Sequence, residues 1–213
     1  VFDRIILSKI KPFRRKCAQL LYRGGFSPNG ISVTGAIIGF IAAIAISLQY
    51  YLIGLLCICV NRIFDGLDGP LAQEYREKKK PHSSRLGGYL DSVCDFLFYA
   101  SIPIAFILAD LARNTVIGII LLFSFFCTAV TFLVYAAVSV KVDSYVKNKE
   151  KSFSYLWGGA EGFETIVFFV LICIFPSFFP VLAGIFAILC FFTAGSRIWY
   201  SVNELRNHTE NSS

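Results

Sequence analysis

Four aspartates stand in stretches that otherwise read as hydrocarbon-facing: Asp65 and Asp68, then Asp91 and Asp95. Spacings of three and four residues put each pair on one face of its helix. The polar stretch 73–86 between them makes the two helices an antiparallel hairpin, so residues equidistant from its centre lie level. Asp65 therefore falls beside Asp95, and Asp68 beside Asp91. Asp65 and Asp95 sit about 13–15 Å along the helices from the loop, and the other two lie nearer the surface. A charged side chain at a membrane helix centre costs about 2.5–3.5 kcal/mol on insertion scales, and four carboxylates in contact cannot all ionise without a counter-charge. No lysine or arginine within either helix is placed to neutralise them; Arg62 lies one turn deeper and supplies a single charge. Hard divalent cations are the natural partner of an all-oxygen site. Two metals bridged by shared carboxylates are a common device for displacement at phosphorus. A set of protonated or hydrated packing acids suits one isolated aspartate better than four at one level.

Small residues border the acids. Gly66 and Gly69 flank Asp68, Ala72 lies one turn on, and Gly87 and Gly88 precede Asp91. Without side chains there, a bulky ligand can approach the backbone. Pro70 also disturbs the hydrogen bond to Gly66 and is expected to kink or open that helix end.

The elements that must hold this cluster follow from composition. Of 213 residues, 56% are apolar and only 16% charged, against about 25% charged in soluble domains. Ile31–Leu48, Asn114–Val140 and Phe178–Ser196 run 18, 27 and 19 residues without a charge, lengths that suit membrane helices. This is the pattern of an integral membrane protein; a soluble enzyme, a disordered linker and a disulfide-stapled secreted domain are excluded. The expected fold is all-α, with six transmembrane segments at roughly 31–48, 51–72, 87–109, 114–140, 161–176 and 178–200. Residues 1–30 form a basic amphipathic preamble that suits a helix in the headgroup plane rather than a cleavable signal. Pro12 argues against one uninterrupted helix there. The domain reading is 1–30 interfacial, 31–200 the six-helix catalytic domain and 201–213 a tail.

Charge placement sets the orientation. Residues 1–30, 73–86, 141–160 and the tail from Arg197 hold 18 of the 20 lysines and arginines, all on one side if six helices alternate. Only Arg113 falls opposite, and Arg62 lies within a segment. Both termini are therefore expected on the cytoplasmic side. The net charge of +6 then faces anionic headgroups and needs no nucleic acid. The seven cysteines lack ligand spacing and read as small core residues. Gly35 and Gly39 read as a close helix–helix contact.

Asp65-x-x-Asp68-Gly69-x-x-Ala72, followed by Gly87-x-x-x-Asp91-x-x-x-Asp95, strongly resembles the signature of the CDP-alcohol phosphotransferases, six-helix membrane enzymes of phospholipid synthesis. Pro28-Asn29 before the first segment resembles the family's entry to that helix. Asn61–Asp68, Gly87–Tyr99 and Gly158–Thr165 are especially similar to an inner-membrane branch in enteric bacteria, which implies a bacterial inner membrane. The resemblance implies that Asp65, Asp68, Asp91 and Asp95 share two Mg²⁺ ions (Mn²⁺ being possible) that grip the pyrophosphate of a CDP-linked lipid such as CDP-diacylglycerol. Asp95 takes a proton from an alcohol, which attacks the lipid-bearing phosphorus, and CMP leaves. Donor contacts are implied at Asn29, Gly69, Ala72, Gln73, Ser84 and Gly87. Asn29 and Ser32 equally suit a helix cap.

The chain departs from the pattern at Gln73, where the family carries an arginine that helps hold the donor, and in a longer stretch before Gly87. Arg76 and Arg85 are the nearby cations. For the acceptor, Lys141 and Arg197 resemble basic residues that bind an acceptor phosphate in relatives, whereas Glu161 and Glu164 would attract an amino-alcohol; the basic pair also suits snorkelling to the interface. A homodimer is the expected assembly. Two rivals remain: an aspartate-rich membrane prenyltransferase, which needs more helices, and a cation transporter, which would spread its acids across the membrane.

Overall fold

The computed structural model describes the backbone of residues 2–78, 84–143 and 162–210, and the side chains of 12–78, 86–138, 162–203 and 206. The elements are α1 (Phe2–Arg23), α2 (Pro28–Ser47), α3 (Tyr51–Glu77), α4 (Ser84–Ala109), α5 (Leu111–Asp143), α6 (Gly162–Ile174) and α7 (Phe179–Glu210), with a 3₁₀ turn at Pro176–Phe178. No strand occurs among the described residues. Pro28–Ser47, Leu86–Ala109, Leu111–Val138 and Pro176–Asn203 are long and apolar enough to cross a membrane. Among the described residues the protein is thus all-α, with four candidate membrane spans defined by length and composition. α3 has the length, at 27 residues, but carries Arg62, Asp65 and Asp68. α6, at 13 residues, covers about 20 Å against a hydrocarbon core of about 30 Å.

The chain divides into two compact units, residues 1–110 and 111–213. In the first, α1 runs unbroken through Pro12, contrary to the expected interruption. One missing backbone bond costs a helix about 3 kcal/mol, and contacts further along α1 offset it. Ala18 is fully buried with Ile31 and Leu71, and Leu21, Tyr22, Phe64 and Tyr75 pack on that cluster. Gln19 donates to Glu74 at 3.1 Å, and Arg15 pairs with Glu77 at 3.0 Å. Gly25, at φ 79°, takes the left-handed position that ends α1. Ser27 then caps α2 by accepting from the Gly30 amide at 3.1 Å, with Pro28 in the first turn.

α2 lies close against α3 and α4 through its glycines. A Cβ at Gly35 would stand 3.1 Å from Phe64 Cβ, and one at Gly39 would stand 2.7 Å from the Phe98 ring. The packing reading of this pair therefore holds.

The second unit is knit by aromatics. Phe168 stacks on Phe186 at 4.4 Å, and Phe125 meets Phe186 edge-on at 6.0 Å. Arg113 donates to the Ser177 carbonyl at 2.6 Å. α7 continues to Glu210, so residues 201–210 are helical. All seven cysteines are free; Cys173 and Cys190 are buried, whereas Cys59 is exposed rather than a core residue.

Candidate active site

Asp65, Asp68 and Asp91 each offer an oxygen within 4.8 Å of the other two. Asp68 of α3 and Asp91 of α4 therefore meet as the expected register requires. Ser32, one turn into α2, donates its hydroxyl to Asp68 Oδ2 at 2.7 Å, so three helices fix the group.

Asp95 stands outside that three-acid group and is held by Arg62. The guanidinium donates from Nη2 to Asp95 Oδ1 at 3.0 Å and from Nη1 to Asp65 Oδ2 at 3.3 Å. It lies 4.4 Å from the Phe98 ring centre, and Nη1 is also 3.3 Å from the Tyr99 hydroxyl. Its Nε donates to Asn61 Oδ1 at 2.7 Å, and buried Asn61 donates in turn to the Gly35 carbonyl at 2.7 Å. Arg62 was expected to lie a turn too deep to neutralise the acids; it instead bridges one acid from each helix. The i, i+3 spacing from Asp65 carried that signal. Asn61 left none: its partner, a backbone carbonyl of α2, is not legible in sequence. A cleft opens between these groups, lined by Ser32, Gly35, Asn61, Arg62, Asp91 and Cys94 among others.

The remaining sequence-predicted residues divide. Among the described residues, a Cβ at Gly69 or Gly88 would meet nothing within 4 Å, so the backbone there is open to them. Ala72 and Gly87 are half-buried. Asn29 Oδ1 is buried without a hydrogen-bond partner among the described residues. The cap of α2 is Ser27, and Ser32 supports Asp68, so neither Asn29 nor Ser32 is the cap. Gln73 turns along its own helix to donate to Glu77 at 2.9 Å, and Arg76 is exposed. Ser84 opens α4 and Lys141 lies near the end of α5, but their side chains and that of Arg85 are outside the described residues, as is the whole of Glu161. Glu164 is half-buried in the first turn of α6. Arg197 donates from Nη1 to the Thr128 carbonyl at 3.3 Å, 5.8 Å from the Phe132 ring centre.

An all-α membrane fold that gathers carboxylates at one level of two helices, beside open glycine backbone, has the build of a metal-dependent membrane enzyme acting on phosphate esters. The family model described as CDP-alcohol phosphatidyltransferase matches residues 26–194. The chain belongs to that family and is a transferase of phospholipid synthesis. It is 41% identical over 201 residues to inner membrane protein YnjF of Escherichia coli K12, covering 93% of this chain and 94% of that one. It is 31% identical over 112 residues to archaetidylinositol phosphate synthase of Pyrococcus horikoshii, covering 51% and 57%. Phosphatidylcholine synthase of Pseudomonas aeruginosa is 33% identical over 105 residues, covering 46% and 43%. The fold resembles Mycobacterium tuberculosis phosphatidylinositol phosphate synthase, solved with manganese and citrate, at TM-score 0.63 and 19% identity over 88% of both chains. The same protein with CDP-DAG bound matches at TM-score 0.62, over 88% of this chain and 92% of that one. Membership sets aside the prenyltransferase and the transporter. The family's divalent metal fits the residues present, since Asp65, Asp68 and Asp91 form an all-oxygen donor set drawn from two helices.

Proposed function

We propose that this chain moves the phosphatidyl group of CDP-diacylglycerol onto the hydroxyl of a small alcohol and releases CMP. The observation that carries the reading is the three-carboxylate group within 4.8 Å, set beside the open backbone at Gly69 and Gly88. Asp65, Asp68, Asp91 and Asp95 are assigned two Mg²⁺ ions, with Mn²⁺ as the substitute; bound there, the ions supply neutralising charge to the donor's pyrophosphate. Asp95, oriented by Arg62, accepts the proton of the acceptor hydroxyl. The oxygen so activated forms a bond to the lipid-bearing phosphorus, and the bond from that phosphorus to CMP breaks. Gly69, Ala72 and Gly87 leave room for the nucleotide beside the acids. Asn29 Oδ1, buried and unpartnered among the described residues, is assigned a donor group of the nucleotide, and Ser84 a further contact. Gln73 replaces the family's arginine, so its amide gives a neutral contact where relatives have a charged one.

For the acceptor we favour a phosphorylated polyol, held by Lys141 and Arg197. The relatives named as archaetidylinositol phosphate and phosphatidylinositol phosphate synthases support this choice. An amino-alcohol drawn by Glu161 is the second reading, supported by the relative named as phosphatidylcholine synthase. The proposal includes six crossings in a bacterial inner membrane, cytoplasmic termini, a homodimer, and α1 in the headgroup plane. Exposed Phe13 and Leu20 on α1 suit that placement. The test is purified protein with CDP-diacylglycerol, Mg²⁺ and a panel of alcohols: glycerol 3-phosphate, inositol phosphate, ethanolamine and choline. CMP release that depends on one alcohol, with the matching phospholipid formed, supports the reading. No CMP with any of them contradicts it.

A further inference from the structure

Pro70 lies inside α3, between the acids and the helix end. It has no N–H, so the carbonyl of Gly66, four residues earlier, loses its helical partner, and the proline ring crowds that oxygen. Gly66 sits between Asp65 and Asp68, so a carbonyl without a partner there would loosen the turn that sets the spacing of two acids. Arg14 of α1 supplies the missing donor: its Nε lies 2.6 Å from the Gly66 carbonyl oxygen. Such a bond, with a charged donor, is about twice as strong as a neutral one. The other described polar contacts of α1 with α3 reach Glu74, Glu77 and Lys78, all beyond Pro70. Arg14 alone among them reaches back to the acid side.

We infer that Arg14 is a positioning residue for the active site, replacing in trans to α3 the hydrogen bond that Pro70 removes and so fixing Asp65 and Asp68 for metal and donor. α1 is then a splint for the broken turn as well as a surface helix. The gap in α3 and the side chain that fills it come from separate elements, so the pairing can be tested by removing either. This rests on the proposed transferase reading.

The experiment is a double-mutant cycle on the purified full chain, comparing wild type, Arg14→Ala, Pro70→Ala and the double variant. Mn²⁺ binding is read from the electron paramagnetic resonance of free ion, and CMP release is measured in parallel. Lys16→Ala, at an exposed position of the same helix, is the control and should match wild type. Arg14→Ala should weaken Mn²⁺ binding roughly tenfold, the factor equivalent to about 1.4 kcal/mol, and lower CMP release alongside it. Arg14→Lys, which keeps a charged donor, should recover most of the loss. In the Pro70→Ala background the new amide serves Gly66 itself, so Arg14→Ala should make no further difference. Wild-type metal binding in Arg14→Ala overturns the inference, and so does an equal loss in both backgrounds. Should Arg14→Ala not accumulate, comparing Pro70→Ala with the double variant decides, because the inference requires them to bind Mn²⁺ alike. Absence of CMP release from the wild type, with the Mn²⁺ cycle intact, would count against the transferase reading and leave this inference standing.

Discussion

Replacing Arg62 with methionine removes the bridge between the two aspartate helices while keeping a side chain of similar length over Phe98. The guanidinium makes charged hydrogen bonds to Asp95 at 3.0 Å and to Asp65 at 3.3 Å. Bonds to charged groups contribute about 1.5–3 kcal/mol each. The low end applies, because the Asp65 and Asp95 side chains are 32% and 30% exposed while Arg62 is 16% exposed. Two such bonds give about 3 kcal/mol, or roughly a 150-fold loss at about 1.4 kcal/mol per decade. The loss should fall on kcat, since Asp95 is the acid that Arg62 orients. Metal affinity should move the other way: with its cation gone the acid group is more negative, so half-saturation by Mg²⁺ should shift to lower concentration. Arg62→Lys should recover only part of kcat, because a point charge cannot bridge two carboxylates in fixed geometry. The assay is steady-state CMP release across a Mg²⁺ titration, with thermal unfolding in detergent to confirm folding. A folded Arg62→Met enzyme within threefold of wild-type kcat would refute the reasoning.

The glycines give a contrast in stability. Gly39→Ala puts a Cβ 2.7 Å from the Phe98 ring and should cost about 1–3 kcal/mol by overpacking, seen as a lower unfolding temperature in detergent. Gly69→Ala meets nothing within 4 Å among the described residues, so it should unfold like wild type yet raise the KM for CDP-diacylglycerol. For the acceptor, loss of Lys141 or Arg197 should raise the KM of a phosphorylated alcohol roughly 10- to 150-fold, from about 1.5–3 kcal/mol per charged bond, with donor KM unchanged. Glu161→Gln should leave that acceptor untouched; a loss confined to choline or ethanolamine would reverse the acceptor assignment.

The meeting of Asp65 and Asp68 with Asp91 was legible because it depends on spacing. The three-residue interval sets Asp65 and Asp68 on one face of α3, whereas Asp95, expected level with Asp65, lies outside the 4.8 Å group and is joined to Asp65 through Arg62. Pro70 was expected to kink or open the end of α3, but α3 runs on as one helix to Glu77; only the loss of a donor for the Gly66 carbonyl follows from the absent N–H. What the sequence hid was the partner across space. Arg62 was visible as a cation, but its reach to Asp95 depends on how α4 is turned, with Phe98 and Tyr99 beneath the guanidinium. The Ser32–Asp68 bond and the Asn61–Gly35 bond depend on how closely α2 approaches, which Gly35 and Gly39 permit without specifying. Pro12 misled because the cost of a proline is local, whereas the packing of Ala18, Leu21 and Tyr22 that offsets it is not.

The central claim is that the four aspartates act as one metal-dependent unit in releasing CMP. It is tested most directly by assaying Asp65→Asn, Asp68→Asn, Asp91→Asn and Asp95→Asn beside wild type, with Mg²⁺ titrated from chelated to saturating. Each variant should insert in the membrane normally, because neutralising an intramembrane acid lowers the insertion cost, and each should lose most CMP release at every Mg²⁺ concentration. Near-normal turnover by Asp91→Asn at saturating Mg²⁺, or full wild-type turnover under chelation, would contradict the account.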